Sequence, residues 1–226
     1  MKIRSKLTCM MIIATLFVFP VTSALAYMPA IIEIVMDGSG SIKPGDFEIA
    51  KKGINEFALL LNERGHLYSN QGQFSDWLSV AFFGGDDDYD ETIFVNCYDN
   101  NKMLELMAYV YSKNHPKYGH TSIYTATGRG LRHVFQHEKW LVQNGVPPNS
   151  YAQILIVITD GKDTSKNSEL KRLVRNSFPN EFASLFMVGV GPDCDLREFK
   201  GIADLVLMID NFDKLAAILF YILEYM

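Results

Sequence analysis

The chain has 226 residues, 21 basic and 26 acidic side chains for a net charge of −5, and 48% hydrophobic residues. An acidic balance with no basic stripe argues against a nucleic-acid partner. The length suits one α/β domain with a sizeable core and leaves little room for a second.

The first residues read as an address. Lys2, Arg4 and Lys6 precede an apolar run from Leu7 to Val21, and Ala24-Leu25-Ala26 puts small residues where a signal peptidase cuts. Residues 1–26 are therefore expected to be a signal peptide cleaved after Ala26, leaving one domain over 27–226 in a secreted or periplasmic protein. No later segment reaches the ~20 apolar residues of a membrane span, so none is expected after cleavage.

Apolar runs then alternate with amphipathic segments. Ile31 to Met36 predicts a buried strand, and Asp46 to Glu63 a helix, because Phe47, Ala50, Ile54, Phe57, Ala58 and Leu61 recur at the helical period. Trp77 to Phe83 and Thr92 to Cys97 read as a hairpin around the acidic turn "GGDDDYDE". Asn101 to Ser112 and Thr125 to Gln143 read as helices. His133 and His137 on the second of these have zinc-like spacing, but no H-E-x-x-H motif accompanies them, and they read as part of a solvated face. Strands follow at 152–161 ("AQILIVITDG"), 183–191 and 204–209, with a short helix around Leu196 to Ile202. Phe212 to Tyr225 closes the chain as an apolar helix. This alternation predicts a doubly wound, mostly parallel sheet covered by helices on both faces.

Ligands of such sheets bind beyond the carboxyl ends of the strands. Three groups of polar residues lie there: Asp37, Ser39 and Ser41 after the first strand, Thr121 before a helix, and Asp160 after "ILIVIT". Two carboxylates and three hydroxyls are hard oxygen ligands, suited to Mg²⁺, Mn²⁺ or Ca²⁺ rather than zinc or copper. Rival chemistries lack their residues. Lys43 stands where a dinucleotide fingerprint needs its third small residue, Val35 where a D-x-D phosphatase needs its acid, and no G-x-S-x-G elbow occurs.

These residues carry a resemblance. Asp37-Gly38-Ser39-Gly40-Ser41 has the D-x-S-x-S pattern of von Willebrand factor type A and integrin I domains, "GHTSIYTATGRGLRHV" resembles their threonine segment, and "VITDG" resembles the strand that delivers their last acid. The resemblance implies a vWA-like sheet with one antiparallel edge strand and a metal-ion-dependent adhesion site. Its direct ligands would be Ser39, Ser41 and Thr121, with Asp37 and Asp160 acting through water or by holding the hydroxyls. Thr125 is the alternative to Thr121. Mg²⁺ is the expected ion, with Mn²⁺ or Ca²⁺ the alternatives, and an acidic residue of a protein partner would complete its coordination. His120, Asp86, Asp87 and Asp88 are candidates for the rim that meets this partner.

The resemblance also implies a non-enzymatic protein. A structural subunit that associates through its helices around a vestigial site is the alternative, and a metal-dependent hydrolase the least favoured reading. In the family's strand order Cys97 and Cys194 stand four strands apart, ~19 Å at the usual spacing, so no internal disulfide is expected. The last helix slides in integrin I domains; for Leu215, Ile218, Leu219 and Ile222 ordinary core packing is the preferred reading, and Phe220 and Tyr221 are open to a partner.

Overall fold

The computed structural model describes residues 28–68, 74–85, 89–91, 93–114, 120–164, 168–177 and 183–225. The segment expected to be a signal peptide, residues 1–26, and Asp86, Asp87 and Asp88 lie outside them.

β1 (Ala30–Asp37) is buried along its whole length, as its near-continuous Ile and Val content requires of a central strand. α1 (Pro44–Tyr68) follows, with Pro44 opening its first turn, where a missing N–H costs nothing. β2 (Trp77–Phe83) pairs parallel to β1. The end of the expected acidic turn is itself a strand, β3 (Tyr89–Glu91), and of the expected second hairpin strand, Thr92 to Cys97, only β4 (Val95–Asn96) forms among the described residues; both are antiparallel to β2. α2 (Asn100–Ser112) is capped by the Asp99 carboxylate, which accepts from the Asn101 and Lys102 amides. Next come α3 (Ile123–Gln143), β5 (Ala152–Thr159), α4 (Ser168–Ser177), β6 (Ala183–Val190), β7 (Leu205–Ile209) and α5 (Leu215–Tyr225). The sequence does not announce α4. The short helix expected near Leu196–Ile202 is a single 3₁₀ turn, Arg197–Phe199, followed by Gly201 in the left-handed region.

The seven strands run β3-β2-β1-β5-β6-β7, with β4 also on β2, and every pairing among β2, β1, β5, β6 and β7 is parallel. Alternation along each strand sorts the core into two layers. Ile32, Ile34 and Met36 of β1 pack with Phe47, Ile54 and Phe57 of α1, Leu106 of α2, and Leu215, Leu219 and Ile222 of α5. Val35 turns the other way and packs with Ile123, Ala126 and Leu131 of α3 and Val174 of α4. α3 comes so close to the sheet that a Cβ on Gly130 would stand 2.6 Å from Leu155 Cδ1 and 2.9 Å from Val35 Cγ2.

The close approach overturns one expectation. His133 and His137 are not on a solvated face: their side chains are 19% and 14% exposed and point at Glu33, which is fully buried in β1. Gly130, Val134, His137 and Leu141 follow the 4-3-4 spacing of a core-facing stripe, so His137 belongs to the buried face by period alone. No helix among the described residues is long and apolar enough to cross a membrane.

Candidate functional site

The chain leaves β1 toward β2 on one side and returns to β5 on the other, so the loops after β1 and β5 diverge and leave a crevice between them. Asp37, the last residue of β1, is fully buried and faces this crevice. Its Oδ1 accepts from the Ser39 amide at 2.8 Å and its Oδ2 accepts from the Thr159 hydroxyl at the end of β5. The loop then bends away, anchored by the Gly38 amide on the Phe83 carbonyl at 2.7 Å.

A continuous chain of hydroxyls crosses the crevice. Thr121 Oγ1 donates to Ser39 Oγ at 3.0 Å, Ser39 Oγ and Ser41 Oγ are 2.9 Å apart, and Ser41 donates to Asp160 Oδ1 at 2.7 Å. Asp37, Ser39 and Thr121 form its buried floor, whereas Ser41 is exposed and Asp160 half-buried at the mouth. The three segments named from the sequence thus meet in one cluster. It is Thr121, not Thr125 one turn along α3, whose hydroxyl bonds to Ser39. His120 is exposed beside it.

Two further residues build the site without having been legible beforehand. Thr159 orients Asp37 and also accepts from the Gly161 amide at 3.1 Å. Thr164 holds the Thr121 backbone from both sides: its hydroxyl accepts from the Thr121 amide at 3.0 Å and donates to the Thr121 carbonyl at 3.1 Å. Gly161 keeps the β5 loop against Thr121, since a Cβ there would lie 3.2 Å from Thr121 Oγ1.

The electrostatics are those of a site short of positive charge. Burial pushes the Asp37 carboxyl up to about 6, against the pull of its hydrogen bonds from Thr159 and Ser39, and the neighbouring Asp160 adds to the rise. Asp160 is itself raised, first by burial and then by Asp46 and Asp193, against the Ser41 hydrogen bond. A divalent cation would relieve both. The donor set fits one: hydroxyl and carboxylate oxygens only, gathered from three loops, with Ser41 and Asp160 open to solvent.

The parallel sheet with this hydroxyl-lined crevice at its switch point defines a Rossmann-like ligand-binding domain of the vWA type. The chain belongs to the von Willebrand factor type A domain family, whose model matches residues 32–218. It is 26% identical over 187 residues to the mouse collagen alpha-6(VI) chain, covering 80% of this chain and 7% of that one. Among solved structures it is similar to proximal thread matrix protein 1 from the mussel byssus with a zinc-occupied MIDAS motif (TM-score 0.58, 20% identity, 86% of this chain and 47% of that one). It is likewise similar to the manganese-loaded TRAP protein of Plasmodium vivax (TM-score 0.57, 19% identity, 84% and 71%). The chain thus spans a small part of the collagen chain and about half of the mussel protein.

Proposed function

We propose that this domain is a divalent-cation-dependent protein-binding module of an exported protein, and not an enzyme. The observation that carries the reading is the unbroken chain Thr121–Ser39–Ser41–Asp160 above the buried Asp37. In this reading Ser39, Ser41 and Thr121 hold the ion through neutral oxygens, while Asp37 and Asp160 hold the hydroxyls and bridging water. A cation with so little anionic charge on it remains electrophilic, so a partner's Asp or Glu can complete its coordination. Mg²⁺ is the expected ion; the zinc and manganese at related proteins support a divalent cation without choosing among them. In this reading the exposed His120 contacts the partner, and the acidic residues Asp86, Asp87 and Asp88 repel other acidic surfaces. Cys97 and Cys194 take no part and form no internal bridge in this proposal.

Calorimetric titration with Mg²⁺ and Mn²⁺ tests the metal half: one equivalent should bind the wild type, and Asp37→Ala or Thr121→Ala should weaken it. Capture of a partner from the native envelope or medium, with and without EDTA, tests the binding half. One observation favours a second reading: Phe220 and Tyr221 on α5 are 41% and 48% exposed. Association through that helix, as a structural subunit, would be insensitive to both EDTA and Asp37→Ala.

A further inference from the structure

Two hollows meet at Pro192 and Asp193, beside the mouth of the crevice, and they differ in charge. The first, about 290 Å³, reaches Ser41 and Asp160 themselves and sets Asp46, Asp193 and Asp210 against Lys43. The second, about 480 Å³, continues past Asp160 and over β7, the edge strand of the sheet, and sets Lys162, Arg197 and Lys200 against Asp193 and Asp195. It is tied to the crevice by the chain itself: Lys162 follows Asp160 by two residues, and the Asp195 amide donates to the Gly161 carbonyl at 3.4 Å.

In a chain of net charge −5, a groove with an excess of cations stands out. Arg197 and Asp195 satisfy each other, with Nε donating to Oδ1 at 2.9 Å and the guanidinium NH2 to Oδ2 at 2.7 Å. Lys162 and Lys200 are exposed, and neither is in an ion pair among the described residues. Between these charges the floor is apolar. Leu196 is buried, and Val206 and Met208, two residues apart on one face of β7, are half-buried and 52% exposed. Gly189 lets them settle, since a Cβ there would stand 2.5 Å from Met208 Sδ and 2.9 Å from Cys194 Sγ. An exposed thioether lying on the sheet is a soft surface that reshapes around an apolar side chain.

We infer that this groove receives the stretch of the protein partner next to its metal-completing acid, and that this stretch is both acidic and apolar. An aliphatic side chain lies on Leu196, Val206 and Met208, and an Asp or Glu comes within reach of Lys162 and Lys200. The inference rests on the cation-dependent binding proposed above and adds the chemistry of the partner's sequence. The two hollows also give that sequence a direction. An acidic segment leaving the cation is repelled by Asp46 and Asp210 on one side and drawn to the two lysines on the other, so charge selects its course as well as its identity.

The test follows the Met208 methyl resonance by NMR, in methionine-labelled protein with Mg²⁺, as three capped peptides are added to millimolar concentration: Asp-Leu-Asp, Asp-Ala-Asp and Lys-Leu-Lys. The resonance is assigned by its loss in Met208→Leu. Asp-Leu-Asp is expected to shift it, Asp-Ala-Asp to bind more weakly, and Lys-Leu-Lys to leave it in place. Lys162→Glu combined with Lys200→Glu should weaken Asp-Leu-Asp about tenfold or more; Lys200→Gln alone, which leaves the loop after Asp160 untouched, should weaken it by less. An equal response to Lys-Leu-Lys, no response to Asp-Leu-Asp while Mg²⁺ still binds, or an affinity indifferent to the lysine substitutions overturns the groove. So does a resonance that moves with protein concentration alone, which assigns this face to a second copy of the chain. Failure of the metal reading looks different: Asp-Leu-Asp that shifts Met208 equally in EDTA and in Asp37→Ala supports the groove and removes the cation from recognition.

Discussion

Glu33 and Asp37 occupy the same face of the same strand, both without solvent exposure, and yet sit in opposite surroundings. Glu33 is mid-strand, where β2, β3 and α3 close over it and surround its carboxylate with two hydroxyls and two imidazoles. Asp37 is the last residue, where the strands end and it accepts from neutral donors, the Ser39 amide and the Thr159 hydroxyl. Position along one strand therefore decides whether a buried acid finds its partners within the fold or must find its counter-charge outside it. The first arrangement ties α3 to the sheet, and the second, in the function proposed, makes a binding site.

The largest effects should come from removing each acid in turn. Glu33→Ala leaves Ser79, Tyr89 and the two imidazoles facing a void, and is expected to destabilise the domain by about 3–5 kcal/mol in urea unfolding while Mg²⁺ binding survives in the folded fraction. Asp37→Ala should reverse the pattern, with Mg²⁺ affinity down about 100-fold or more and metal-free stability unchanged or improved. A folded Glu33→Ala protein that no longer binds Mg²⁺ would erase the distinction.

The next effect is a pH dependence confined to the strand end. With a carboxyl at about 6 against an ordinary 3.8, folded Asp37 holds its proton more tightly than the unfolded chain does. Its contribution is complete at pH below the ordinary value and is lost as pH rises through 6, about 3 kcal/mol in all. Asp160, also raised, acts in the same direction. In EDTA the urea midpoint of the wild type, compared with Asp37→Ala at each pH, should fall between pH 4 and 7. Saturating Mg²⁺, which favours the carboxylate form, should remove that fall.

Legibility followed the range of the interactions. β1, β5 and β6 read directly because strands buried on both faces are apolar throughout; Asp37, Ser39, Ser41 and Asp160 stand out as small polar residues at the ends of such runs, and Thr121 by its place just before a helix. α4 escaped because Ser168–Ser177 is dominated by charge, with an apolar stripe of only three residues. Thr159 and Thr164 escaped because their partners lie 122 and 43 residues away, and such pairings leave no local pattern. Thr159 did carry a trace, as the polar residue ending an otherwise apolar strand. His137 reads as solvated once a zinc motif is ruled out, whereas its place on the α3 stripe assigns it to the core.

The smallest predicted effect probes the crevice from its far side. Cys194 Sγ lies 3.5 Å from the Thr159 carbonyl and 3.4 Å from the Gly161 carbonyl, the two residues that flank Asp160. Burial pushes its thiol up to about 11, and the charges of Asp160 and Asp37 add to the rise. At pH 8 roughly one molecule in a thousand is then a thiolate, so iodoacetamide should modify Cys194 far more slowly than a free thiol. Cys97, fully buried and pushed well above the usual thiol value by that burial, should not react in the folded protein. A divalent ion in the crevice cancels the two carboxylate charges and leaves burial unchanged, so Mg²⁺ should speed alkylation by a few-fold at most. Asp37→Ala should abolish the acceleration and Glu33→Gln should leave it intact, because Glu33 is absent from the charges acting on this thiol. Equal acceleration in all three proteins would mean that the ion acts elsewhere, and that the two acids of β1 do not divide their roles as their positions dictate.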